Sequence, residues 1–141
     1  MRIDLIKTKL AIIDENIKLV EENLPKKLSE FESLGLVKDG IYKRVEASIQ
    51  EILSVCAIIN ADLELRVPSN RDDIINALEE KKVISDEIIN VVRDLKGFRR
   101  FLIHRYGPID DEIAFRDIKE GLSDFEAFKE EILRLIKEHE P

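Results

Sequence analysis

The residues of this 141-residue chain that could do chemistry crowd into one segment, Arg93-Asp94-Leu95-Lys96-Gly97-Phe98-Arg99-Arg100-Phe101-Leu102-Ile103-His104-Arg105-Tyr106-Gly107-Pro108. Five basic side chains, Arg93, Lys96, Arg99, Arg100 and Arg105, stand beside a single acid, Asp94, and flank the internal histidine. A chain of net charge −7 thereby gathers positive charge around a group that titrates near neutrality, which is the outline of an anion site. Spacing alone also admits a plainer account. Basic residues near a helix C-terminus complement its dipole, with His104 as a part-buried polar side chain.

Other reactive groups are set aside by inventory. There is no glycine-rich loop of the phosphate-cradling kind, no Cys/His cluster and no His-x-x-x-His pair. The lone Cys56 sits among Val55, Ala57, Ile58 and Ile59 and reads as a buried, inert thiol. The acids Asp72-Asp73 and Asp110-Asp111-Glu112 fall where helices should start, so they read as caps and dipole partners. His139, two residues from the end of the chain, is expected to fray and is given no role. Lys43, Arg44 and Glu46 read as a solvated helix face, extending a groove only if that helix lines one.

The elements that must position the basic segment follow from periodicity. Apolar residues are 44% of the chain, enough to bury one core, and charged residues are 38%, so a helical fold is the default and residues 1–141 are expected to form a single helical domain. Ile3, Ile6, Leu10, Ile13 and Ile17 form one helical stripe that should stop before Pro25. A short turn over 26–34 follows. A second long helix is expected to start at Asp39-Gly40 and to carry Ile41, Val45, Ile49, Ile52 and Cys56 inward. Leu65 to Asn70 reads as a loop, with Ser69 or Asn70 capping a short helix from Arg71 to Glu80. Ser85 caps the helix that carries the basic segment, closed by Gly107-Pro108. Asp110 opens the last helix, in which Gly121 could introduce a bend. The expectation is an all-α, antiparallel up-and-down bundle of four to five helices. No apolar run approaches the length that crosses a bilayer, and the first residues lack a signal-peptide core, so a cytoplasmic protein without membrane attachment is expected.

Arg99, four residues, His104, one residue and Tyr106 spell Arg-x4-His-x-Tyr, which resembles the motif of the HepT toxins within the HEPN superfamily of helical ribonucleases. The likeness extends from about Arg2 to Glu138. Pro68, the helix Arg71 to Glu80, the start at Ser85, Ile109-Asp110 after the tyrosine, and the late Leu122-x2-Phe125-x2-Phe128 pattern all fall in similar order. One position departs. The family commonly has Arg-Asn where this chain has Arg99-Arg100, and an arginine cannot both donate and accept as the amide does.

The resemblance implies metal-independent RNA cleavage without a cofactor. His104 would exchange protons with the 2′-hydroxyl or the leaving 5′-oxygen, and Arg99 would stabilise charge on phosphorus by forked hydrogen bonds. Arg100, Arg105 and Lys96 would hold RNA phosphates. On an ideal helix Arg99 and His104 lie about 140° apart, so one straight helix does not assemble the site. A homodimer would bring two copies of the segment together, in line with the dimers the family forms. The resemblance also implies a toxin–antitoxin pair, the partner being an MntA-like minimal nucleotidyltransferase that attaches AMP to the tyrosine matching Tyr106 and blocks the site by charge and bulk. The alternative is a catalytically inactive bundle that binds such a nucleotidyltransferase, Arg100 having replaced the amide.

Overall fold

The stripe on the first helix is buried as its spacing requires. In the computed structural model, which describes residues 1–103 and 108–140, α1 (Ile3–Asn23) buries Ile6, Leu10, Ile13, Ile17 and Val20. It ends where Leu24, preceding Pro25, turns extended. Five more helices follow among the described residues: α2 (Leu28–Glu32), α3 (Leu36–Asp62), α4 (Arg71–Glu80), α5 (Asp86–Ile103) and α6 (Asp111–His139). The count exceeds the expected four to five because the five-residue turn α2, which buries Phe31, closes into a helix of its own.

Ion pairs fix the direction of each helix. Along α1 and α3, Arg2 meets Asp62 at 2.8 Å, Lys9 meets Glu51 at 3.0 Å, and Arg44 donates to Asn16 at 2.8 Å. One residue number rises as the other falls, so the two helices run antiparallel. Lys129 with Asp14 at 2.9 Å and Lys7 with Glu140 at 3.2 Å set α6 antiparallel to α1. The Ser85 backbone N–H donates to Glu131 at 2.6 Å and begins α5 against the far end of α6. Helices α1, α3, α5 and α6 thus form an up-and-down bundle, while α4 braces α3 and α5, and α2 packs on α6. The N-terminal part of α3, the last turn of α5 and the start of α6 meet at one end.

Several local expectations change. The second long helix begins at Leu36, not at Asp39-Gly40, because Gly35 takes the turn in the left-handed region at φ 61° and leaves Gly40 inside the helix. Gly121 does not interrupt α6, where the neighbouring turns are locked by buried Ile118, Phe125 and Phe128. The last turn of α6 extends to His139, whose Nδ1 lies 3.0 Å from the Leu135 carbonyl oxygen, so this residue is helical and not frayed. The start of α4 is double-capped as its sequence allows. The Asp73 N–H donates to Asn70 Oδ1 at 3.0 Å, and Asp73 Oδ2 accepts from the Ser69 N–H and hydroxyl at 2.9 and 2.5 Å. Ser85 accepts from the Ile88 N–H at 3.3 Å. Cys56 is buried, and burial pushes its thiol up to about 12. No described helix is long and apolar enough to cross a membrane.

Phe128 is fully buried, whereas Val67 is 95% exposed. Phe128→Ala should cost about 3–5 kcal/mol, Asn70→Ala about 1 kcal/mol, and Val67→Ala less than about 0.5 kcal/mol. Urea unfolding read at constant m-value checks all three.

Candidate functional site

The side chains of the basic segment divide between two neighbours. Arg93 turns to α4, donating to Glu79 at 3.0 Å through both terminal nitrogens and to Asn76 at 2.8 Å. Lys96, one turn on, pairs with Asp72 of α4. The hydrogen bond from Lys96 holds the Asp72 carboxyl below its ordinary range, and that from Arg93 does the same for Glu79. The single acid visible in the segment is therefore joined in space by two from α4, which the order of residues along α5 does not reveal.

Arg99 turns the other way, toward α3. Its Nη2 lies 3.4 Å from Glu46 Oε1, its side chain is 24% exposed, and its Nε is buried with no acceptor among the described residues. Arg100 is exposed and makes no hydrogen bond or ion pair with a described residue, though its charge is felt at Asp72. His104, Arg105 and Tyr106 lie outside the described residues, as does Gly107. Of the six residues singled out from the sequence, the structure thus describes Lys96, Arg99 and Arg100. It sets Lys96 on the α4 side and Arg99 on the α3 side.

At the end where α3, α5 and α6 meet, a cleft of about 530 Å³ is lined by Lys38, Asp39, Tyr42, Lys43 and Glu46 from α3. Leu102 and Ile103 from α5 and Pro108, Ile109 and Asp111 from the other side complete its described wall. The chain leaves the described residues at Ile103 and re-enters them at Pro108, and these two residues both line the cleft. Its volume falls in the range of small-ligand sites.

One wall is fastened by a network that sequence reasoning missed. Asp110 caps α6 as expected, accepting from the Ile113 N–H at 3.2 Å. Asp111, read from the sequence as a cap, instead reaches across to α3. It accepts from Tyr42 Oη at 2.5 Å and from Lys38 Nζ at 2.7 Å. Burial alone would raise the Asp111 carboxyl, but the hydrogen bonds from Lys38 and Tyr42 outweigh it and hold the group below its usual range. Burial, the bond to Asp111 and the neighbouring carboxylates of Asp110 and Asp39 push the Tyr42 phenol far above its ordinary value, so it stays a donor. Its ring meets Phe31 edge-on at 5.7 Å, and Phe31 in turn lies against Phe115 at 4.9 Å. A polar-tipped aromatic on the inward face of α3 was the only available signal, and nothing in it names a partner 69 residues away.

The arrangement of the helices is similar to the fold of solved HEPN toxin structures. A solved structure of a tri-AMPylated Shewanella oneidensis HEPN toxin in complex with an MNT antitoxin superposes with TM-score 0.79, covering 95% of this chain and 97% of that one at 22% identity. The cytosolic protein YutE of Bacillus subtilis superposes with TM-score 0.80 over 99% of this chain and 93% of its own at 17% identity. At these identities the likeness is one of fold. The sequence itself matches the family described as Ribonuclease HepT-like over residues 13–132, and the chain belongs to that family. A protein of Shewanella oneidensis named mRNA nuclease HepT is 22% identical over 125 residues, which span 89% of this chain and 93% of that protein.

Tyr42→Phe removes one donor from Asp111 and should cost about 1–2 kcal/mol in urea unfolding. Because the folded value of Asp111 is depressed, its contribution is full above the unfolded carboxylate value, near pH 4, and is lost as pH falls through the lower folded value. The stability advantage of wild type over Asp111→Asn should accordingly be complete at neutral pH and shrink progressively as the pH falls below about 4.

Proposed function

We propose that this chain is a metal-independent endoribonuclease, acting on tRNA or other cellular RNA, and the toxin of a HEPN/nucleotidyltransferase pair. The observation that carries the reading is Arg99 in a HepT-like chain: a part-buried guanidinium against Glu46 of the cleft wall, with one long contact and an unpaired Nε among the described residues. A buried donor left without an acceptor is the kind of exception that a ligand explains. A phosphate is the ligand whose geometry fits a guanidinium fork.

In the reaction the 2′-oxygen attacks the adjacent phosphorus, its proton passes to a base, and the P–O5′ bond breaks as the leaving oxygen takes a proton. The products are a 2′,3′-cyclic phosphate and a 5′-hydroxyl. His104 is the acid or base, and Arg99 stabilises the extra negative charge on the phosphoryl oxygens. DNA lacks the nucleophile and is not cut. Arg99 is directed at α3, while a straight helix would aim His104 about 140° away, so a homodimer supplying a second copy of the segment is the simplest composite site. Arg100 is free to meet flanking phosphates and Arg105 follows the histidine, whereas Lys96 contributes only by leaving Asp72.

The MNT antitoxin bound to the solved Shewanella oneidensis toxin supports a second element of the proposal. An MntA-like nucleotidyltransferase binds this chain as its antitoxin and adds AMP at Tyr106, placing phosphates beside the arginines that would otherwise hold RNA. Arg100 in place of the family's amide favours one competing reading, a bundle that binds the nucleotidyltransferase without cutting RNA.

Purified protein incubated with total tRNA and with mRNA in EDTA should cut wild-type reactions to ends bearing cyclic phosphate. Arg99→Ala and His104→Ala should each lower the rate by about 100-fold or more. Absence of cleavage by unmodified protein, with binding of the nucleotidyltransferase intact, would establish the non-catalytic bundle instead.

A further inference from the structure

We infer that Glu46 of α3 is a positioning residue for Arg99, holding the guanidinium in the direction from which it can grip a phosphate; the inference rests on the ribonuclease reading above. Two arginines on the same helix make the contrast. Arg93 is well partnered, with three contacts of 3.0, 2.8 and 3.0 Å to Glu79 and Asn76 that engage both terminal nitrogens, as in a structural ion pair. Arg99 has five donor hydrogens, and among the described residues its single acceptor is Glu46 Oε1 at 3.4 Å. That is longer than the roughly 2.7–2.9 Å of a strong charge-assisted bond. The contact therefore aims the group without using up its fork.

Glu46 is itself fixed. Its Oε2 accepts from Lys43 Nζ at 3.0 Å, its side chain is 17% exposed, and it forms part of the cleft wall. Lys43 is 78% exposed, so that second contact is weak, and the orientation of the carboxylate depends mainly on its place on α3. A carboxylate beside a phosphate site repels the substrate, so Glu46 has no direct use in gripping RNA. Its use is to set Arg99, and the antiparallel register of α3 and α5 brings the two together across 53 residues of sequence.

Positioning separates turnover from binding. Glu46→Ala should lower kcat about 10- to 100-fold, as loss of an aimed charge stabiliser does, while KM for RNA stays unchanged or falls because a negative charge has left the cleft. Glu46→Gln keeps the reach and the acceptor and should restore kcat to within about threefold of wild type, whereas Glu46→Asp keeps the charge but loses a methylene of reach and should behave like the alanine variant. The Nε–H resonance of Arg99 gives a reading that needs no RNA: buried in wild type, it should exchange slowly there and in Glu46→Gln, and rapidly in Glu46→Ala. Should the alanine variant fail to fold, the Gln and Asp pair decides alone.

Equal or higher kcat in Glu46→Ala and Glu46→Asp would overturn the inference, and higher kcat would make Glu46 a brake. An unchanged Arg99 resonance in Glu46→Ala would overturn it as well. Wild-type protein that cuts no RNA overturns the ribonuclease reading and with it any part for Glu46 in turnover. The resonance still shows separately whether the carboxylate holds the guanidinium.

Discussion

Everything in this fold depends on covering α3. Through its second half this helix buries Ile52, Leu53, Val55, Cys56, Ile58, Ile59 and Asn60, which cover a broad arc of its circumference. A helix with so wide a buried face cannot rest on a single partner. It is enclosed by α1 along one side, α5 along another and α4 near its end, and α6 closes the bundle between α1 and α5. The outward ion pairs then select register: Arg2 with Asp62 and Lys9 with Glu51 are satisfied together in one antiparallel alignment of α1 and α3. The end of α5 is placed against the start of α3 by the same requirement, and that juxtaposition makes the cleft.

How much of this a reader of the sequence could see depends on the range of the interaction. Helix α1 and its stop before Pro25, the short helix Arg71–Glu80 and the openings of α5 and α6 rest on spacing and capping, which are local, and each is found where the sequence puts it. The start of α3 was misplaced because two glycines compete for the turn, and only the backbone reveals that Gly35 takes the left-handed conformation while Gly40 is helical. Asp111 was misread for a different reason. Next to a true cap, Asp110, an acid in the first helical turn has a sufficient local explanation, and its actual partners Tyr42 and Lys38 are distant in the chain.

The charges of the basic segment show the same division. Residue types and spacing brought Arg93, Lys96, Arg99 and Arg100 to notice together, but they are not equivalent in space. Helix α4 exists as a brace between α3 and α5, and its acids Asp72 and Glu79 neutralise the cations on the side it covers. Arg99, on the other side, meets α3, where the facing surface offers it only Glu46 among the described residues. Family resemblance named Arg99 from its motif. The structure adds why this arginine differs from Arg93, since neither motif nor net charge distinguishes a guanidinium held by both terminal nitrogens from an under-partnered one.

An acidic protein that binds an anion must rely on geometry, because its overall field opposes the approach of the ligand. Here the lysines of the cleft wall are spent on neighbours, Lys38 on Asp111 and Lys43 on Glu46. Each pair reduces the local field, and the pair at Asp111 also ties the first turn of α6 to α3 through Tyr42. Among the described residues of the basic segment the cations left over are Arg99, with a buried unpaired nitrogen, and Arg100, exposed and unpaired. Attraction at such a site is short-ranged. It favours a ligand that presents its charge as discrete oxygens at hydrogen-bonding distance over one that is merely negative, and a phosphodiester held at a cleft between two fastened helices meets that condition.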